Sequence, residues 1–210
     1  MNYQQFKSQF KNLPLITSHD VLQGAQDDQS LRNQLKRWEK RGLLIRLRKG
    51  FYLFNENDRV FDPDLSYIAN HLYEPSYVSL EYALNSYSLI PERVIAVTSI
   101  TTRKTMQFKN DFGNFTYQHI QPKAFRGFQR MGEGRFSFLM AEPEKAVVDF
   151  LYLNLGRFAR NFKDIFLNSY RFQNFEDLSS TKLKNLGALF ENKKLMKVVQ
   201  AFCQMIEEEK

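Results

Sequence analysis

The sequence predicts an α+β fold, and three patterns carry that expectation. Apolar residues recur at helical spacing through about residue 42, short β-branched or aromatic runs fill residues 94 to 141, and helical spacing returns from residue 142 to the end. At 210 residues the chain has room for a small domain joined to a larger one. The polar stretch NENDRVFDPD, with Pro63, supplies the joint, so the expected domains are 1–58 and 59–210.

The first helix is predicted in NYQQFKSQFKNLP, where Tyr3, Phe6 and Phe10 share one face and Pro14 ends the run. Thr17 or Ser18 can cap a second helix through HDVLQ towards Gly24. A third begins near DDQS, where Asp27, Asp28 and Ser30 offer caps and acidic charge, and it stops before Gly42. In it Leu31, Leu35 and Trp38 make an apolar stripe. At 100° per residue Asn33, Lys36, Arg37 and Lys40 then point the other way. After Gly42, LLIRLR and FYLF flank a Lys49-Gly50 turn and predict a hairpin.

Charge is concentrated in this part of the chain. Residues 1–54 carry 10 Lys/Arg against 4 Asp/Glu, whereas 55–144 carry 9 against 11 and 145–210 carry 11 against 8. A basic head on a near-neutral middle suits a module that faces a polyanion. Three helices followed by a basic hairpin form the winged helix-turn-helix pattern, in which the third helix enters the DNA major groove and the wing reaches the backbone or minor groove. The expected DNA-binding residues are Arg32, Asn33, Lys36, Arg37 and Lys40 on the helix and Arg46, Arg48 and Lys49 in the wing. Asn33 and Arg37 have the chemistry of base-edge readout; plain solvent exposure is the alternative for both. Trp38 lies on the apolar stripe and reads as core, not as a stacking platform.

In the second domain LSYIANHLY is expected to be a helix ending before Pro75, and Ser79 to cap the next, LEYALNSY. VIAVTSI, KTMQFK, NFTYQHI and RFSFLMA read as short strands of an antiparallel sheet, with turns at Asn110-Asp111 and Gly132-Glu133-Gly134. EPEKAVVDFLYLNL returns to helical spacing with Pro143 in its first turn. Leu195, Val199, Phe202 and Ile206 form one face of a last helix. The full expectation is a winged helix-turn-helix followed by a mixed domain with a short-stranded antiparallel sheet and C-terminal helices.

No catalytic residue, metal site or cofactor is expected. His19, His71 and His119 lack the spacing that puts two ligands on one helix face. RMGEGRFS has Ser137 where a dinucleotide fingerprint needs its third glycine. Glu142, Glu144 and Asp149 have the chemistry of a metal-dependent nuclease, but EPEK at a helix start is explained by the helix dipole. The lone Cys203 excludes an internal disulfide and reads as an inert buried thiol. No apolar run approaches the roughly 18 residues of a spanning helix, and MNYQQFKSQF lacks the apolar block of a secretory signal, so a cytoplasmic protein without membrane partners is expected.

IRLRKGFYLF, YVSLEYALNSYSLIP and EPEKAVVDFLYL, in that order and over roughly residues 15 to 155, resemble the AbiE-type antitoxins of bacterial type IV toxin-antitoxin systems. The strongest parts are Lys49-Gly50-Phe51-Tyr52, Ser79 to Leu84, and Glu142 to Ala146 leading to Asp149. The resemblance implies an N-terminal winged helix that represses the antitoxin-toxin operon and a C-terminal domain that counteracts a nucleotidyltransferase-like toxin, with or without a stable complex. It assigns Arg46, Arg48 and Lys49 in the wing, with Lys36 and Arg37, to operator binding. The tail after Gly156 does not align. The toxin's own pattern, a Gly-Ser pair followed by Asp-x-Asp, is absent. A stand-alone transcription factor with a ligand-sensing or dimerisation domain, and a metal-dependent nuclease, are the alternatives.

Overall fold

The computed structural model describes residues 1–23, 28–158 and 162–209. The chain begins with α1 (Tyr3–Phe10), a two-residue strand β1 (Ile16–Thr17), α2 (Ser18–Leu22), α3 (Asp28–Lys40) and the hairpin strands β2 (Leu44–Arg48) and β3 (Phe51–Phe54). Thr17, not Ser18, caps α2: its hydroxyl accepts from the Asp20 amide while Asp20 reaches back to the Thr17 amide. Of the caps expected for α3, Asp27 lies outside the described residues, as does Gly24 beyond α2, and Ser30 falls inside the first turn. Gly42, at φ +68°, ends α3 in the left-handed conformation, and the Leu43 amide bonds back to the Trp38 carbonyl at 2.9 Å.

Strand β1, absent from the sequence expectation, pairs with β3, so the small sheet has the order β1-β3-β2, all antiparallel. The helices close on one side of it around Phe6, Phe10, Leu31, Leu35 and Trp38, with the Phe6 and Trp38 rings 4.7 Å apart. Trp38 is therefore a core residue, 6% exposed.

The remainder is built from α4 (Leu65–Leu72), β4 (Ser76–Val78), α5 (Leu80–Ser86), β5 (Val97–Thr101), β6 (Met106–Asn110), β7 (Gly113–His119), β8 (Phe128–Met131), β9 (Phe138–Ala141), α6 (Pro143–Leu153), α7 (Phe162–Asp164, running into a π-helical turn at Ile165–Ser169), α8 (Ser180–Ala188) and α9 (Lys193–Glu209). The α+β class holds, but the antiparallel expectation is corrected. The six-stranded sheet has the order β6-β7-β5-β4-β9-β8 and is mixed: β5 runs parallel to β7, and β4 parallel to β9. Turn chemistry reports only local pairs. The hairpin β6–β7 is antiparallel as its turn foretells, with Asn110 Oδ1 accepting the Phe112 and Gly113 amides, and the Gly132-Glu133-Gly134 turn joins β9 to an antiparallel β8 that the sequence did not predict. Insertion of β7 beside β5, and of β9 beside β4, creates the parallel pairs.

Helices α5, α6, α8 and α9 share one large core with this sheet, and the expected α9 face of Leu195, Val199, Phe202 and Ile206 is fully buried there. The hairpin belongs to both cores. Leu44, Tyr52 and Phe54 pack with the helices of the first module, whereas Leu47 and Leu53, with Ile45 and Phe51 beside them, pack into the larger core. A bulge between Arg46 and Arg48 shifts the β2 register and helps serve both faces.

Candidate nucleic-acid interface

Helix α3 presents the charged face that its periodicity predicts. Arg32, Asn33, Lys36, Arg37 and Lys40 are exposed, while Leu31, Leu35 and Trp38 anchor the opposite face. Asn33 Oδ1 accepts from Gln29 Nε2 at 3.2 Å, which leaves its amide nitrogen as the outward donor. Arg46 on β2 is exposed beside this helix, 3.7 Å from Glu39, and Lys49 is exposed at the hairpin tip. Arg41 extends the same run past the end of α3 and is also exposed. It was missing from the expected set, although its place in KRWEKR was signal enough.

Arg48 differs from the rest of that set in being half-buried. Its guanidinium lies 3.8 Å from the Phe51 ring centroid and 5.6 Å from that of Phe108 on β6, sandwiched between the modules. Its Nε is buried without a hydrogen-bond partner, and burial lowers its pKa. Alternation along LLIRLR places Arg46 and Arg48 on the same side; the bulge breaks that equivalence.

The rest of the first module holds this face in place. Asp58 accepts from Tyr3 at 2.6 Å and pairs with Lys7, tying α1 to the segment after β3. Those two partners, Lys7 first, hold the Asp58 carboxyl below its ordinary range. At the hairpin turn Gly50, at φ +85°, accepts the Ser18 amide at 2.7 Å, and a Cβ there would crowd Ser18 Oγ at 3.2 Å.

The two sequence stretches of the second domain that carry the family resemblance converge on one buried network. Asp149 on α6 pairs with Lys145 one turn earlier and accepts from Tyr77 and Ser79, each at 2.9 Å. Ser79 sits at the N-cap of α5 without capping it; the hydroxyl expected to cap serves Asp149 instead. Burial pushes the Asp149 carboxyl up, and Lys145 leads the groups that oppose it. Glu144 behaves differently. Burial raises its pKa, but Lys182 at 2.8 Å and backbone amides outweigh it and leave the carboxyl below its usual range.

These pairings bear on metal chemistry. Each carboxylate considered for a nuclease faces a lysine: Asp149 has Lys145, and Glu142 and Glu144 share Lys182. Among the described residues no group of three or more His, Cys, Asp or Glu is placed to hold a metal ion. His19, His71 and His119 sit on separate elements, bonded to Gln23, Glu74 and the Arg103 carbonyl respectively. Cys203 is 1% exposed, and burial raises its thiol pKa. Among the described residues no helix is long and apolar enough to cross a membrane.

No protein-family model matches this chain, and no curated protein matches it.

Proposed function

We propose that this protein is a double-stranded-DNA-binding transcriptional regulator that reads its own operator with a winged helix-turn-helix, and that its larger domain acts as the antitoxin of a type IV toxin-antitoxin system. One observation carries the DNA reading: a helix whose apolar stripe is locked into a core turns five polar or basic side chains outward, with Arg46 beside them. The order α1-β1-α2-α3-β2-β3 is also that of a winged helix. Lys36, Arg37, Lys40, Arg46 and Lys49 are assigned to the phosphate backbone, with Arg37 and Asn33 nearest in chemistry to base readout. The antitoxin role rests on the family resemblance. The nuclease alternative is disfavoured because its carboxylates are already neutralised by Lys145 and Lys182.

The test is retardation of the protein's upstream DNA in EDTA at several salt concentrations. If about five phosphates are neutralised, log affinity falls with log salt at a slope near −4 to −5. Absence of salt-sensitive binding overturns the assignment. The antitoxin half is scored by survival of cells producing a neighbouring nucleotidyltransferase-like toxin, with the full chain supplied in trans; failure of a folded, expressed chain to protect them overturns it.

A further inference from the structure

A cleft of about 360 Å³ opens at the seam between the two modules. Its walls include Leu15, Asp20 and Phe51 from the first and Tyr67, Glu74 and Arg135 from the second. Volume, a mostly apolar lining and location at a domain junction are the attributes of small-molecule sites. The feature that points to an occupant is Tyr67. It is 7% exposed, yet its hydroxyl makes no hydrogen bond among the described residues. Burial raises its pKa first, the carboxylates Glu74 and Asp20 raise it further, and Arg135 opposes them, so the hydroxyl lies in the field of all three charged walls and keeps its proton. The ring is buried while the hydroxyl itself is not sealed from solvent, so it is open to a donor placed in the cleft.

We propose that this seam cleft binds a small organic ammonium ion with an apolar body. The charged groups set the ligand's sign. Asp20 spends Oδ2 on the two Thr17 bonds and keeps Oδ1; Glu74 gives Oε1 to His71 and keeps Oε2. Arg135, the one guanidinium in the wall, donates to the Asn12 carbonyl at 2.8 Å and stacks 4.6 Å over Phe61, and its single positive charge faces the two carboxylates. Two carboxylates with a free oxygen each therefore meet the ligand's cationic end, the Tyr67 oxygen accepts a third N–H, and Leu15 and Phe51 cover the apolar body. Asp20 belongs to the cap of α2, and Phe51 to the hairpin, so occupancy bears on the two elements that flank α3. That consequence rests on the DNA-binding reading.

The experiment is calorimetric titration of the full-length protein with phenethylammonium chloride, with phenylacetate as the anion of matching body. Saturable binding of the amine at about millimolar is expected, the range for so small a ligand, with none of the anion. Glu74→Gln, at an exposed position that spares the fold, weakens binding about tenfold, and Tyr67→Phe weakens it by about threefold. No saturable heat, equal binding of phenylacetate, or unchanged affinity in both variants overturns the proposal. In parallel, the amine at saturation shifts the midpoint of operator retardation; an unmoved midpoint overturns the coupling. If DNA is not bound even without amine, the DNA reading fails, while calorimetry still scores the cleft.

Discussion

Replacing Lys145 by Met strips the paired cation from a carboxylate that has no exposure to solvent. The Lys145 and Asp149 side chains are both 0% exposed, so water cannot screen the charge that remains. Removing one partner of such a pair costs about 3 to 5 kcal/mol, against a total stability of about 5 to 15 kcal/mol. For a chain of this length each kcal/mol moves the melting temperature by about 2 to 4 °C, so Lys145→Met lowers it by about 6 to 20 °C. The hydroxyls of Tyr77 and Ser79 remain on Asp149 and hold the loss towards the lower end. The carboxyl's other escape is to take up a proton. Its folded pKa, already raised by burial, rises further without Lys145. A raised folded pKa stabilises below the unfolded value and loses that contribution as pH rises through the folded one, so the deficit of Lys145→Met grows with pH. Thermal and denaturant melts at mildly acidic and alkaline pH measure it. The double variant Lys145→Met, Asp149→Leu replaces both charges by apolar groups and is expected to be more stable than Lys145→Met alone. A loss below about 1 kcal/mol, or a double variant whose deficits simply add, refutes the view that this ion pair stands alone in a dry interior.

Three further outcomes are expected. Lys36→Ala weakens binding to all duplexes by a similar factor, while Arg37→Ala costs about 1 to 3 kcal/mol mainly on the cognate operator, as measured by the ratio of specific to non-specific affinity. Glu144, held below its ordinary range, contributes stability above that range that is lost as pH falls through its folded pKa; Lys182→Ala flattens this acid loss by about 1 kcal/mol in denaturant melts, a modest effect because Lys182 is 39% exposed. A fragment of residues 1–58 shows no cooperative thermal unfolding by circular dichroism.

What the sequence made legible was local. Leu31, Leu35 and Trp38 mark the buried stripe of α3, Gly42 marks its end, Pro143 marks the first turn of α6, and the structure has each where periodicity and capping put it. Hairpins with turn residues were legible too. What escaped was non-local: two-residue β1 has no pattern to detect, β4 and β8 are short, and the parallel pairs of the large sheet are joined by no turn. At the candidate site the helix face followed from 100° arithmetic, but the fate of Arg48 depended on a bulge and on Phe108 sixty residues away in the chain. Tyr77, Ser79, Lys145 and Asp149 were visible only as members of separate helix and strand patterns, because nothing in spacing says that α6 passes under the β4–α5 corner.

The shared hairpin sets how the two modules depend on each other. Burying one Leu side chain contributes about 1.5 to 3 kcal/mol, so Leu15, Leu47 and Leu53, all fully packed in the larger core, together contribute roughly 5 to 9 kcal/mol to holding the first module in shape. That is as much as the whole stability expected of a domain of this size, at about 0.05 to 0.15 kcal/mol per residue. Asn110 Nδ2 bonding to the Leu47 carbonyl and Arg135 to that of Asn12 add directional ties across the seam. Helix α3, mounted this way, cannot reorient freely on a linker. Any event that loosens the seam changes the geometry of α3 and the hairpin together, which, on the proposed DNA-binding reading, is the physical route by which a ligand in the cleft would alter operator affinity.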